Sequence, residues 1–380
     1  MKNETYAHRL VKGIDKGKRI VVKIGSALLV SQKDGSPRQD WLEAIADDLA
    51  AWRKRGREVL VVSSGAIAIG KFPLGLNAAP LRLEECQAAA AAGQIRLAHA
   101  WQEALDRHGI AVAQVLLTLE DTEARRRYLN ARTTLNTLLS LGAMPVINEN
   151  DTVATEEIRF GDNDRLAARV AQMVSADTLV LLSDIDGFYT ADPNRNSKAE
   201  HVEEVREITP EIEAMADAPS LEHGTGGMVT KLQAARIAMA AGCRMVIANG
   251  HGFHSLKALE EGAKCTWFLP SAGPKQARKQ WIEGGLRPAG SITVDAGAVK
   301  ALRDGKSLLP AGVIRAEGSF ARGDAVIVCD PDGNEIARGL SAYSCEDAVR
   351  ILGHKSRDIE AILGYRGRDE MIHRDDLVLR

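Results

Sequence analysis

Short apolar runs alternate with longer amphipathic segments over the first 270 residues of the chain. Several of these runs are hydrophobic throughout, which is typical of parallel strands that are covered on both faces. The segments between them carry apolar residues at helical spacing. The alternation predicts an α/β fold, with a mainly parallel sheet sandwiched by helices. The predicted strands are Arg19 to Ile24, Glu58 to Val62, Ala111 to Leu117, Met144 to Ile147, Thr178 to Leu182 and Arg244 to Ala248, and the predicted helices are Gln39 to Arg55, Ala66 to Gly70, Glu84 to Arg107, Thr122 to Leu141, Arg165 to Val174 and Met228 to Ala241.

The pattern changes after about Leu269. Ser271 to Gly285 is rich in glycine, lysine, arginine and glutamine, which indicates a linker. Beyond it the strands are short, and the turn Asp330 to Asn334 between Ala325–Cys329 and Glu335–Leu340 predicts a hairpin. We therefore expect an α/β domain over residues 1–270, a linker over 271–287, and a small β-rich domain with a C-terminal tail over 288–380.

Composition narrows the classes of protein to consider. A length of 380 residues suggests two or three domains, and a net charge of -2 gives no electrostatic case for a nucleic-acid or membrane partner. The five cysteines are scattered, so neither a zinc site nor a disulfide framework is expected. The first residues lack the apolar core of a secretory signal, and no apolar run approaches the roughly 20 residues of a membrane span. We expect a soluble, cytoplasmic protein.

Two polar clusters flank the loop after the fourth predicted strand. Asn148 to Asp151 follows the strand, and Gly161 to Asp164 precedes the next predicted helix. Ligands of open α/β sheets bind at the carboxyl ends of the strands, which favours a binding site here. The alternative is structural, with a turn in the first cluster and a helix cap at Asp162 or Asp164.

Lys23 lies inside an otherwise apolar strand and is closely followed by Gly25 and Ser26. Burying a lysine is costly unless its ammonium group meets an anion. One interpretation is a lysine that contacts phosphate oxygens, with the backbone N–H groups of Gly25 and Ser26 at the same phosphate. The alternative is a strand end at which the ammonium group reaches solvent.

The strongest local signal is the segment Gly224 to Lys231, which reads GTGGMVTK at a predicted helix start. Glycines there expose backbone N–H donors at the positive end of the helix dipole, which favours an anion. A lysine is disfavoured near that end unless a polyphosphate lies nearby. The spacing is not that of a Walker A loop, and the alternative is a flexible loop with a surface lysine.

Hydroxyl groups follow two further strands, at Ser63-Ser64-Gly65 and at Ser183-Asp184. Both segments are compatible with an anion or nucleotide pocket, and equally with a helix cap and a turn. Taken with the two lysines and the glycine and acidic loops, they supply what phosphoryl transfer needs. Cations and N–H donors hold the phosphates, and carboxylates bind Mg²⁺ or orient the lysines.

Six segments, in this order and spacing, resemble the amino acid kinase family. They are VVKIGS, SSGAIAIG, PVINENDTVAT, GDND, LLSDIDGFYTADP and GTGGMVTK. The part from about Ala289 resembles a PUA domain. The resemblance implies the amino acid kinase fold with a small PUA-like domain, and transfer of phosphate from MgATP to the γ-carboxylate of L-glutamate, the first step of proline biosynthesis. Ala27 stands where the family often has a hydroxyl, so position 27 is left out of the predicted site.

The resemblance also implies a role for each candidate residue. Lys23 and Lys231 are expected to contact the transferring phosphoryl group, and Asp164 to orient both lysines. The expected glutamate-binding residues are Ser64, Asp151 and Asn163, with Asn148 and Asp162 nearby. The expected ATP-binding residues are Lys23, Gly25, Ser183, Asp184, Thr225, Gly226, Gly227, Met228, Val229, Thr230 and Lys231. Mg²⁺ is expected to be carried mainly by the ATP phosphates, and its protein ligands are left unassigned.

Two other functions fit the sequence less well than a glutamate-phosphorylating enzyme. Other members of the family act on aspartate, acetylglutamate or carbamate, but the PUA-like part and the ENDTVAT segment argue against them. PUA domains elsewhere bind RNA, but 14 Lys and Arg against 15 Asp and Glu from Arg287 to Arg380 give no basic excess, so RNA binding is not expected. The resemblance further implies a homo-oligomer, inhibition by L-proline, and a glutamyl phosphate reductase as a partner.

Overall fold

A computed structural model of the chain describes residues 13–14, 17–76, 80–153, 163–216, 227–284 and 286–380. The chain divides into two compact units, residues 1–274 and 275–380. Within these described ranges, no helix is both long and apolar enough to cross a membrane.

The described part of the first unit contains ten strands. They are β1 (Arg19–Ile24), β2 (Glu58–Ser63), β3 (Val112–Leu117), β4 (Met144–Glu149), β5 (Thr178–Ser183), β6 (Phe188–Tyr189), β7 (His201–Val202), β8 (Glu204–Val205), β9 (Arg244–Asn249) and β10 (Cys265–Phe268). Eight of them form one sheet in the order β3-β4-β2-β1-β5-β9-β10-β8, and β6 pairs with β7 separately. Only the β9–β10 pair in the eight-stranded sheet is antiparallel. The carboxyl ends of β1, β2, β4 and β5 therefore lie along one edge.

Helices connect these strands and cover the sheet. They are α1 (Ser26–Leu29), α2 (Gln39–Lys54), α3 (Ala66–Gly70), α4 (Leu83–Asp106), α5 (Leu119–Glu123), α6 (Arg125–Ser140), α7 (Asn163–Met173), α8 (Pro210–Ala216), α9 (Met228–Ala240) and α10 (Ser255–Glu260). The helices create two apolar cores, one with α2 and α4 and the other with α7 and α9.

Alternation along β1 sends its side chains to opposite faces of the sheet. Ile20, Val22 and Ile24 pack in the core with α2 and α4. Val21 packs in the core with α7 and α9. Lys23, two residues after Val21, therefore projects toward the face that carries α7 and α9.

Two glycines allow α3 and α4 to pack with their backbones in close contact. A Cβ atom on Gly70 would lie 1.8 Å from the carbonyl oxygen of Ala89, and a Cβ atom on Gly93 would lie 1.8 Å from that of Ala66. Neither position has room for a side chain. Gly65, just before α3, has a φ of 116°, in the left-handed region that favours glycine. The packing fixes α4 beside the carboxyl end of β2.

The second unit is a five-stranded sheet with helices and its own core. The strands are β11 (Gly290–Val294), β12 (Val313–Gly318), β13 (Ala325–Cys329), β14 (Glu335–Leu340) and β15 (Leu377–Leu379), in the order β12-β11-β13-β14-β15. The helices are α11 (Pro274–Gly284), α12 (Ala296–Arg303), α13 (Cys345–Ile351) and α14 (Ile359–Leu363). Apolar side chains from both sets, among them Ile292, Val328 and Ile351, form the core.

The structure confirms the predicted fold class. The first unit has the mainly parallel sheet sandwiched by helices, and the second has the predicted hairpin, β13 and β14. Residues 271–285, expected to be a linker, contain α11. This helix is held in the second unit by the buried ion pair of Arg278 with Asp376, 2.6 Å apart, and by packing of Ile282 against Ala325. The exact domain limits stay a prediction.

Several predicted elements need correction. The predicted helix Thr122 to Leu141 is two helices, α5 and α6, because Ala124 between them has an extended backbone with a ψ of 111°. Strand β4 continues two residues further than expected, because Asn148 and Glu149 pair with the last residues of β3. Strands β8 and β10 at the sheet edge were not predicted from the sequence.

Candidate active site

Asp164 lies between the side chains of two lysines. Its Oδ1 atom is 2.6 Å from Lys23 Nζ, and its Oδ2 atom is 3.3 Å from Lys231 Nζ. Asp164 is fully buried, and each lysine is more than nine-tenths buried. The structure thus brings together three residues that the sequence placed in separate candidate motifs.

Each member of this cluster comes from the end of a different element. Lys23 is the penultimate residue of β1, which lies between β2 and β5. Asp164 is in the first turn of α7, where a negative charge is favourable near the helix dipole. Lys231 is near the start of α9, where the nearby carboxylate offsets the unfavourable dipole. Because α7 and α9 pack together, the two helix starts converge on the end of β1.

Two opposing effects determine the pKa of Asp164. Burial is the largest effect and raises the pKa, but the charges of Lys23 and Lys231 and their hydrogen bonds to the carboxylate together outweigh it. The pKa therefore lies below its ordinary value, and the carboxylate is ionised at neutral pH. An ionised carboxylate holds both ammonium groups at one place.

The first turn of α9 adds a hydroxyl to the cluster. Thr230 Oγ1 lies 3.2 Å from Asp164 Oδ2 and 2.8 Å from the carbonyl oxygen of Gly227. Gly227 is the N-cap of α9, and a Cβ atom there would have no described atom within 4 Å. A helix start beside two lysines is suited to a polyphosphate. Of the other predicted ATP-binding residues in this segment, Met228 and Val229 begin α9, and Thr225 and Gly226 lie outside the described residues.

Predicted glutamate-binding residues join the same helix start through amide hydrogen bonds. Asn163 Nδ2 donates to Ser64 Oγ at 2.7 Å and to Asn148 Oδ1 at 3.2 Å. Asn163 Oδ1 is buried and has no hydrogen-bond partner among the described residues. The ends of β2 and β4 and the start of α7 therefore meet at a cluster of hydrogen-bonded polar side chains next to Asp164.

Asp151 lies in the turn after β4, close in the sequence to Asn148 of this cluster. Burial raises the pKa of Asp151 to about 6. A carboxylate that is costly to ionise is stabilised by a cationic ligand. Asp162, predicted to lie nearby, is outside the described residues.

The predicted ATP-binding residues of two strands lie along the same sheet edge. Ser183 is the last residue of β5, and its Oγ atom donates to Asp184 Oδ1 at 2.9 Å. Ser183 is buried and Asp184 is exposed. A Cβ atom on Gly25 would lie 3.8 Å from Lys23 Nζ, so this glycine is beside the ammonium group.

Two residues close to the predicted segments were missed in the sequence. Gln94 on α4 accepts a hydrogen bond from Asn148 Nδ2 at 2.7 Å. Lys264 donates to the hydroxyl of Tyr189 at 2.7 Å and lies 3.5 Å from Asp186 Oδ2. No sequence pattern pointed to either residue. Gln94 is one polar residue in an Ala-rich helix, and Lys264 precedes the unpredicted strand β10.

In the parts of the chain that are described, no three His, Cys, Asp or Glu side chains are grouped to hold a metal ion. Both oxygens of Asp164 contact lysine ammonium groups, so its carboxylate is arranged as an ion-pair partner. The described cluster offers cations to phosphate oxygens and does not form a metal site by itself.

The chain is similar to known proteins over most of its length. A model of the amino acid kinase family matches residues 18–249, and a model of the PUA domain matches residues 290–363. A protein named Glutamate 5-kinase from Paramagnetospirillum magneticum is 64% identical, over 95% of this chain and 98% of its own length. One of the same name from Agrobacterium fabrum is 62% identical, over 95% of this chain and 92% of its own. A carbamate kinase from Giardia lamblia, solved with AMP-PNP, aligns at 16% identity and a TM-score of 0.48, over 67% of this chain and 99% of that chain.

The family model covers more than half of the chain, and the curated relatives cover nearly all of it. The chain belongs to the amino acid kinase family and carries a C-terminal PUA domain. It is therefore a kinase, and the resemblance found in its motifs is confirmed.

Proposed function

We propose that this chain transfers the γ-phosphate of ATP to the γ-carboxylate of L-glutamate and releases L-glutamyl 5-phosphate. The observation that carries the proposal is the buried cluster in which Asp164 holds two lysine ammonium groups at the edge of the sheet. Relatives named Glutamate 5-kinase that match almost the whole chain support the choice of acceptor.

A carboxylate acceptor does not need a general base, and the sequence predicts none. A γ-carboxylate has a reference pKa of about 4.3 and is already ionised at neutral pH. Catalysis then consists of positioning and charge neutralisation during in-line transfer. Lys23 and Lys231 stabilise the charge on the transferring phosphoryl group, and Asp164 keeps their ammonium groups in place.

In this proposal the glutamate pocket lies at the polar cluster where β2 and β4 end. Asp151 receives the α-ammonium group, the only positive charge on the substrate. Asn163 offers a buried acceptor, and Ser64 a hydroxyl. Asn148 holds the amide of Asn163 through a 3.2 Å hydrogen bond, and Asp162 is assigned to the same pocket.

ATP lies at the other side of the lysines in this proposal. The start of α9 from Gly227 to Lys231 binds its phosphates with backbone N–H groups, the Thr230 hydroxyl and the Lys231 ammonium group. Gly25 allows the backbone to approach the same phosphates, and Ser183 and Asp184 contact the nucleotide at the end of β5. Thr225 and Gly226 are assigned to this segment from the family motif. Mg²⁺ neutralises phosphate oxygens when it is bound with ATP.

The remaining partner assignments rest on the family resemblance. Glutamyl 5-phosphate is an acyl phosphate that hydrolyses readily, so we expect a glutamyl phosphate reductase to take it up. A homo-oligomer, inhibition by L-proline and a cytoplasmic location stay predictions. The sequence counts of charged residues in the PUA domain give no support for RNA binding.

A hydroxamate assay tests the proposal directly, because hydroxylamine traps acyl phosphates. Glutamate, aspartate and acetylglutamate are supplied in parallel with MgATP. We expect ATP-dependent product with glutamate and little with the other two. Preference for aspartate or acetylglutamate would replace glutamate with another acceptor, and no product with any of them would remove the proposed activity.

A further inference from the structure

A row of hydrogen-bonded side chains connects the proposed glutamate pocket to helix α4. Asn163 Nδ2 donates to Ser64 Oγ and to Asn148 Oδ1, and Asn148 Nδ2 donates to Gln94 Oε1. Gln94 is the acceptor at the end of the row. Asn148 is buried, so its amide group is held by these partners and not by bulk water.

The direction of these bonds decides which atoms face a ligand. Asn163 uses both N–H groups of Nδ2 within the row, which leaves its Oδ1 atom as a buried acceptor with no partner among the described residues. Ser64 accepts a hydrogen bond, so its own hydroxyl hydrogen is available to donate. An acceptor and a donor side by side match the ammonium and carboxylate groups of an amino acid.

This direction is not an intrinsic property of the amides. The terminal torsion of an asparagine is broad, and its oxygen and NH₂ group have similar shapes, so partners decide which way it points. If the amide of Asn148 turned over, its NH₂ group would face the NH₂ group of Asn163. Two donors would then oppose each other, Asn148 Oδ1 would oppose Gln94 Oε1, and both hydrogen bonds would be lost.

The packing of α4 makes Gln94 a suitable fixed end for the row. Gly93, its neighbour, meets the backbone of α3 so closely that a Cβ atom would lie 1.8 Å from the carbonyl oxygen of Ala66. Helix α3 begins two residues after Ser64, at the other end of the row. The same helix contact therefore sets the positions of both ends.

We propose that Gln94 is a positioning residue that fixes the Asn148 and Asn163 amides, and so makes the pocket select an acceptor with a free α-ammonium group. The inference rests on the proposed function, because it names what determines the substrate of that site. Gln94 acts through Asn148 and does not contact the reacting atoms.

The test compares three variants with the wild-type protein. Gln94→Met keeps the length of the side chain but removes the acceptor, and Gln94→Glu keeps acceptor oxygens. Arg96→Met introduces the same residue as Gln94→Met at an exposed position of α4. For Gln94→Met we expect the KM for glutamate to rise about tenfold, the loss that one hydrogen bond supports. The KM for ATP and the Ki of glutarate, which lacks the ammonium group, stay within about twofold. Gln94→Glu should lie closer to wild type than Gln94→Met, and Arg96→Met should match wild type.

Three results would overturn the inference in distinguishable ways. Wild-type protein that does not phosphorylate glutamate would remove the proposed function and this inference with it. An active wild type with an unchanged glutamate KM in Gln94→Met would remove the inference alone. Parallel losses for glutamate, ATP and glutarate, together with a lower Tm, would make Gln94 a structural residue of α4.

Discussion

Lys23 Nζ lies 2.6 Å from Asp164 Oδ1, a contact that joins the end of a central strand to the first turn of a helix. The aspartate is fully buried and the lysine nearly so. A buried charge is costly unless an opposite charge compensates it. Each residue therefore depends on the other, and removing either one has a measurable consequence for both stability and catalysis.

Replacing the shared carboxylate should weaken the fold. In Asp164→Asn the two buried ammonium groups lose their common counter-charge, and breaking a buried pair costs about 3–5 kcal/mol of unfolding free energy. Urea denaturation measures this loss, and a kcat measurement should show reduced activity because the lysines are no longer held. Asp106→Asn, at an exposed position, is the control and should change neither value. Unchanged stability and kcat in Asp164→Asn would contradict the assigned role.

The ion pair of Lys23 with Asp164 should also make the stability of the fold depend on pH. The pKa of Asp164 is lowered in the folded protein, so its contribution to stability is complete above its unfolded pKa of about 3.9 and is lost as the pH falls through the folded value. Wild type should therefore lose more stability than Asp164→Asn on acidification below about pH 4. Denaturant midpoints measured at several acidic pH values test this difference.

Lys23 and Lys231 should each be required for rapid phosphoryl transfer. We expect Lys23→Ala and Lys231→Ala each to lower kcat by about 10²–10³, the usual effect of removing one preorganised group that stabilises transition-state charge. Steady-state kinetics at saturating ATP and glutamate measure it. Lys257→Ala, an exposed lysine on α10, should keep the wild-type kcat. A near-normal kcat in either site variant would exclude that lysine from the mechanism.

The central part of the fold followed from local pattern because buried parallel strands are hydrophobic on both faces. The edge of the sheet did not. Strands β8 and β10 are two and four residues long, too short for a recognisable period. The helix before Ala124 has five residues, LEDTE, of which only Leu119 is apolar, so it is too short to show a period that would mark the break.

The site was predictable where a residue conflicts with its surroundings. Lys23 in an apolar strand and Lys231 near a helix start are both unfavourable without a nearby anion, and the structure puts Asp164 beside both. Gln94 has no such conflict. A polar residue on a helix is ordinary, and its relation to Asn148 depends on a close helix crossing that the sequence does not reveal.

Asp151 should give the use of glutamate its own pH dependence. Its pKa is raised to about 6 by burial, so it loses its charge as the pH falls through that value. Below about pH 6, kcat/KM for glutamate should fall by up to tenfold per pH unit, while the γ-carboxyl of glutamate stays ionised down to about pH 5. In Asp151→Asn this dependence disappears, the glutamate KM is high at every pH, and the ATP KM changes only a few-fold.

The contribution of Asp151 to stability should change with pH in the opposite direction to its effect on kcat/KM. Because folding raises its pKa, the folded protein holds the proton more tightly, and wild type loses stability relative to Asp151→Asn as the pH rises from about 4 to 6. Denaturation of both proteins across this range tests the sign. In the kinetic comparison, a change in Asp151→Asn confined to the ATP KM would show that Asp151 binds the nucleotide and not glutamate.

The second unit should be dispensable for phosphoryl transfer. All the candidate site residues come from the first unit, which has two apolar cores of its own. A domain with its own core can usually be separated from its neighbour without unfolding. A chain of residues 1–273 should therefore give a folded circular dichroism spectrum and retain a kcat within a few-fold of the full chain.

Its response to L-proline or to metal concentration is expected to change if the PUA domain biases a conformational equilibrium, since such a bias requires contacts that differ between states. A folded but inactive fragment would mean that the PUA domain supplies part of the active site, and the division of roles between the two units would have to be abandoned.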